Sequence, residues 1–72
     1  MEPVEVAAYA GYRAAERPRA VRWRGQWRQV TAVEEQWREP DGRAFIVRLE
    51  GGERLRLLYR EGRDVWSATT LG

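Results

Sequence analysis

The chain has 72 residues, no cysteine, and 13 basic against 11 acidic residues, for a formal net charge of +2. That length holds one domain, spanning 1–72, and the missing thiols exclude a disulfide framework or a thiolate metal site. No apolar run approaches the ~20 residues that span a bilayer, and Met1-Glu2-Pro3 lacks the basic and then apolar start of a secretory signal, so a cytoplasmic location with no membrane contact is expected.

Every basic residue is Arg; Lys, His and Asn are absent. Arg binds carboxylate and phosphate bidentately and stacks on aromatic faces. A GC-rich genome explains the bias more simply than heat adaptation, whose signal is Lys and Glu enrichment.

Val4, Val6 and Ala8 alternate like a strand, followed by a polar connection from Gly11 to Pro18 in which helix is limited to one turn around Tyr12–Arg17. Val21 and Trp23 mark a second strand that turns at Gly25 into a long third one, Gln26 to Arg38. Within it Val30 and Ala32 lie on the opposite parity from Val33 and Trp37. A period-2 strand buries both sets only if an extra residue intervenes, which predicts a bulge or bend near Thr31–Glu34.

Glu39-Pro40-Asp41-Gly42 reads as a three-residue hairpin loop with Gly42 left-handed. It sets Glu39 opposite Arg43, Trp37 opposite Phe45 and Glu34 opposite Arg48. Leu49-Glu50-Gly51-Gly52 repeats the device with Gly52 left-handed, so Val47 faces Leu55 and Phe45 faces Leu57. In Glu61-Gly62-Arg63-Asp64, Gly62 opens a two-residue loop that sets Tyr59 against Trp66 and Leu57 against Ala68. One face then collects Trp37, Phe45, Val47, Leu49, Leu55, Leu57, Tyr59, Trp66 and Ala68 as the core. The expectation is all-β: a five- to six-stranded antiparallel meander, strongly curved, forming a small open barrel or rolled sheet.

Catalysis by a nucleophile–base pair needs His, Lys or Cys, and Ser67 is the only serine. No enzyme is expected. The one odd carboxylate is Glu35, which the register sets opposite Val47 on the apolar side, unless the bulge turns it to solvent. Asp41, Glu61 and Asp64 are too few oxygens for a calcium loop, so neither a metal nor a cofactor is expected. Gly51-Gly52 lacks the Lys and helix of a phosphate cradle.

The opposite face gathers Ala44, Ile46, Arg48, Arg54, Arg56, Leu58, Arg60, Val65 and Leu71, with Arg54 opposite Arg48 and Arg56 opposite Ile46. Like charges across a ladder cost stability and ask for a counter-charge. Nucleic acid or an acidic protein surface would supply it, and Trp23–Arg24 and Trp27–Arg28 add rings beside guanidiniums for stacking unpaired bases. The competing reading is a solvated face that Glu34, Glu50 and Glu53 neutralise.

Tyr9-Ala10-Gly11-Tyr12-Arg13, Glu16-Arg17-Pro18, Trp37-Arg38-Glu39-Pro40-Asp41-Gly42-Arg43, Val47-Arg48 and Asp64-Val65-Trp66 together resemble a small uncharacterised bacterial domain family. That family is similar to the C-terminal tail of the inactive Y-family polymerase-like subunit of the bacterial mutasome. The resemblance runs from Tyr9 to Trp66 and is most specific at Trp37-Arg38-Glu39-Pro40 with the spaced Tyr59 and Trp66. It implies a non-catalytic role connected with DNA damage tolerance, through DNA or partner proteins, and carries no catalytic residues. The alternative is a protein-interaction module with no nucleic-acid contact, docking through a sheet edge or the mixed arginine–aliphatic face, onto another protein or, as a homodimer, onto a second copy of itself.

Overall fold

The computed structural model describes residues 2–8 and 17–71; most of the turn expected around Tyr12–Arg17 lies outside them. Six antiparallel strands follow in chain order: β1 (Glu2–Ala8), β2 (Pro18–Trp23), β3 (Gln26–Glu39), β4 (Gly42–Leu49), β5 (Arg54–Arg60) and β6 (Val65–Thr70). Each pairs with the next, and β6 pairs with β1, so the meander is a closed barrel rather than an open one. The closing ladder is short: Glu2, Pro3 and Val4 pair with Ala68, Ser67 and Trp66. From Glu5 onward β1 pairs with β2 instead. Among the described residues no helix is long and apolar enough to cross a membrane.

The long strand β3 makes closure possible. Its first residues, Gln26–Gln29, pair with β2, and Val30–Glu39 pair with β4, with register shifts at Val30/Ala32 and Val33/Glu35. The expected bulge is present, and doubled. Each extra residue bends the strand and increases its twist, so β3 belongs to both halves of the barrel.

The β4–β5 and β5–β6 registers agree with expectation: Val47 faces Leu55, Phe45 faces Leu57, Tyr59 faces Trp66 and Leu57 faces Ala68. Gly51 and Gly52 both take positive φ, 92° and 94°, which a tight turn there requires. The β5–β6 loop differs from expectation. It holds four residues after Arg60, with Asp64 rather than Gly62 left-handed at φ 55°.

The β3–β4 hairpin also differs. Glu39 pairs with Gly42 across a two-residue Pro40-Asp41 loop, and no residue of it is left-handed. The ladder slips by one: Arg38 faces Arg43, Trp37 faces Ala44 and Gln36 faces Phe45, while Glu34 occupies the second bulge. Gly42 is there for room, since a Cβ would collide with the Tyr59 carbonyl.

Inside the barrel lie Val21, Trp23, Phe45, Val47, Leu49, Leu55, Leu57, Tyr59, Trp66 and Ala68, with Val4, Val6, Val30 and Val33 against them. The aromatics pack in tilted pairs, with centroids 5.6 Å apart for Phe45–Trp66 and 4.9 Å for Tyr59–Trp66, the offset geometry ring quadrupoles favour. The Tyr59 hydroxyl reaches Asp64 at 2.7 Å. Trp37, expected in this core, lies outside it and half-buried. The slip places it beside the fully covered Ala44 on the outer face.

Candidate functional site

The arginine face of β4 and β5 forms as expected, with Arg48 directly opposite Arg54 and Arg56 opposite Ile46. Its charges are nonetheless answered from within the fold. Glu34, pushed out by the second bulge, sits between the two opposed arginines. Arg48 donates to its Oε2 from Nε at 3.0 Å and Nη2 at 2.8 Å, and Arg54 to its Oε1 at 2.9 and 2.8 Å. These bonds, Arg54 first and then Arg48, hold the Glu34 carboxyl below the usual glutamate range. Arg60 reaches Asp41 at 2.8 Å. Arg56 lies over the Trp37 ring, 5.6 Å from its centroid, with Glu39 at 3.9 Å, and the Trp37 indole donates to Glu39 at 2.5 Å.

The tryptophan–arginine pairs divide differently. Trp23 is a core residue, 2% exposed, and its indole N–H caps Glu53 at 3.1 Å, so it offers no face to a base. Arg24, left-handed at φ 55° in the β2–β3 turn, lies 5.3 Å from the Trp23 centroid. Arg28 donates to the Glu50 carbonyl at 2.7 Å and to Glu53 at 3.4 Å. Trp27 alone of the expected aromatics is open, at 50% exposed. Glu35 is exposed and faces Ile46 on the outer side, not Val47 within, which removes the buried-carboxylate reading. The bulge is what turns it outward.

A different basic site emerges along β3. Past Gln29 that strand has no β2 partner, and a groove follows the divergence in three adjoining clefts. The first, about 370 Å³, is lined by Arg17, Arg19 and Gln29 to Val33. The second, about 250 Å³, shares Arg17 and Val33 with it and adds Glu34, Glu35 and Gln36. The third, about 230 Å³, shares Gln36 and ends at Arg38, Arg43 and Phe45. Arg38 and Arg43 are directly opposed and exposed. Among the described residues no carboxylate lies within ion-pair distance of either.

Sequence reasoning missed this pair for one reason. A three-residue loop sets Glu39 against Arg43 and neutralises it; the two-residue loop sets Arg38 there and leaves two like charges facing each other. The Pro-Asp dipeptide, which suits a two-residue turn without a left-handed residue, was the available signal. Among the described residues no cluster of acidic side chains is arranged to hold a metal ion. Comparison with protein-family models, curated proteins and solved structures finds no match for this chain.

Proposed function

We propose that this protein is a non-catalytic accessory module that binds nucleic acid through the groove along β3, in keeping with the link to DNA damage tolerance that its sequence resemblance implies. The observation that carries this reading is the Arg38–Arg43 pair. Opposed like charges are destabilising in a ladder, and here no carboxylate among the described residues offsets them, unlike Arg48 and Arg54, which Glu34 bridges. A phosphate supplies the missing counter-charge and accepts bidentate bonds from guanidinium. The small net charge of +2 favours a local contact over non-specific coating of a duplex.

The test is fluorescence anisotropy with labelled DNA and RNA, single- and double-stranded, at low salt. Binding is expected to fall with salt, and the slope to shrink by roughly 1.4–1.8 when Arg38 and Arg43 are both replaced by Ala, about 0.7–0.9 per lost phosphate contact. Replacing Arg48 and Arg54 should leave that slope unchanged. Absence of binding to every nucleic acid, or equal losses from the two double variants, would overturn the reading.

A second reading rests on the same strand. The side of β3 that leaves β2 after Gln29 is an edge to which an extended peptide can add. A pull-down that returns a partner whose binding survives the Arg38/Arg43 double variant would favour it.

A further inference from the structure

We infer that the occupant of the β3 groove is an unpaired nucleic-acid strand, with one base stacked on Trp27 and phosphates on Arg17, Arg38 and Arg43; this rests on the nucleic-acid reading above. Three observations converge on it.

The first is shape. The basic side chains line a recess that follows a single strand, in clefts of about 370, 250 and 230 Å³. Proteins read duplex DNA by pushing a helix or ribbon into its groove, the reverse of this arrangement. From Gln29 to Arg38 the path is at most ~30 Å at strand rise, and the molecule itself is 31 Å long. That length suits about four or five nucleotides, the low end for small barrels.

The second is Trp27. Its cross-strand partner is Arg22, which is turned to Glu5 at 3.6 Å. Two residues along the same face stands Gln29, the first residue of the groove. An indole left half exposed two residues ahead of the groove's first residue, and on the same face of the strand, is a ready stacking platform, and stacking tolerates any base.

The third is Glu35. It is exposed at the middle of the groove with no ion pair among the described residues. A carboxylate repels phosphate, so a strand lying there turns a base toward Glu35 and takes its phosphates on Arg17, where the first and middle clefts meet, and on the Arg38–Arg43 pair at the far end. A duplex, with its regular outward phosphates, cannot make that accommodation.

Oligothymidylates of increasing length, a matched duplex and polyglutamate, titrated at one low salt concentration, test this. Affinity is expected to rise with length and level off near five nucleotides, to exceed that for the duplex by about tenfold or more, and to quench tryptophan emission. Trp27→Ala should weaken single-strand binding by about 5- to 150-fold, the range of one lost stacking contact, and Trp27→Phe should keep most of the affinity while removing the quench. Glu35→Gln should bind a few-fold more tightly. Because Trp27 is on the surface, an unchanged thermal midpoint confirms that each variant is folded. Duplex binding as tight as single-strand binding, or no effect of Trp27→Ala, overturns this inference and leaves the broader reading intact. No binding to any nucleic acid overturns both. Polyglutamate binding of equal strength, lost in the same variants, marks a general polyanion site and overturns the strand-specific claim.

Discussion

Replacing Gly42 by Ala is expected to cost this small barrel a large share of its stability. A Cβ at that position would overlap the Tyr59 carbonyl oxygen and stand 2.8 Å from its carbon and 3.1 Å from the Arg60 Cα. All three are backbone atoms in the facing strand, so no side-chain rotation relieves the contact. The strand end must withdraw, breaking the Gly42–Arg60 pairing and the neighbouring bond from the Glu61 amide to the Asp41 carbonyl, 3.0 Å long. Loss of two or three such bonds at roughly 1 kcal/mol each gives about 2–3 kcal/mol. Set against the ~4–11 kcal/mol expected for 72 residues, that is a substantial fraction. Urea unfolding followed by tryptophan fluorescence should show a midpoint lower by ~2–3 M, at a slope near 1 kcal/mol per molar, and the melting temperature should fall by about 10–20 °C. Gly62 is the internal control. A Cβ there meets nothing within 4 Å and its φ is not left-handed, so Gly62→Ala should be neutral or stabilise by about 0.4–1 kcal/mol. A midpoint for Gly42→Ala within ~0.5 M of the parent would refute the steric argument.

The Glu34 bridge predicts an acid limb. Its carboxyl titrates below the ordinary 4.5 because Arg54 and Arg48 bond its charged form, so its contribution is complete above about pH 4.5 and lost as pH falls through the lowered value. Thermal melts from neutral pH downward should show a steeper acid decline in the parent than in Glu34→Gln. Tyr59 predicts the opposite limb. Asp64 accepts its hydroxyl proton, and burial adds to this, raising its pKa above 10.0. Its stabilisation is therefore intact below pH 10 and lost as pH rises through the raised value. Absorbance titration should find one late phenolate that Tyr59→Phe removes. Leu57→Ala, at a site with no exposed surface, should cost about 3–5 kcal/mol by calorimetry or urea melts.

Local chemistry made half of the barrel legible. The glycine turns at Gly51-Gly52 and Glu61–Asp64 fix pairings whose members are near in sequence, so the faces of β4, β5 and β6 follow from counting. The Gly62 expectation failed in detail yet preserved the register, because two- and four-residue loops with the same central pair give the same partners. The Pro40-Asp41 turn failed in the damaging way. A loop one residue shorter slips the ladder, and the slip moved Trp37 from core to surface and exposed the Arg38–Arg43 pair. Closure was not legible either. Val4 and Trp66 are about sixty residues apart, and no turn chemistry links them. The arginine face was read correctly as a face, but its ion pairing depends on where a bulge aims Glu34, which side-chain alternation alone does not reveal.

The three-pair seam between β1 and β6 also bears on how the molecule comes apart. It joins the most distant parts of the chain with the fewest rungs, so it is the last ladder to zip during folding and the first to part in thermal fluctuation. When it parts, two strand margins are bared together, one on β6 and one on β1. These are the raw edges from which small β proteins self-associate. The guard against that fate is modest: Pro3, which lacks a donor, and the acidic Glu2 and Glu5 beside it.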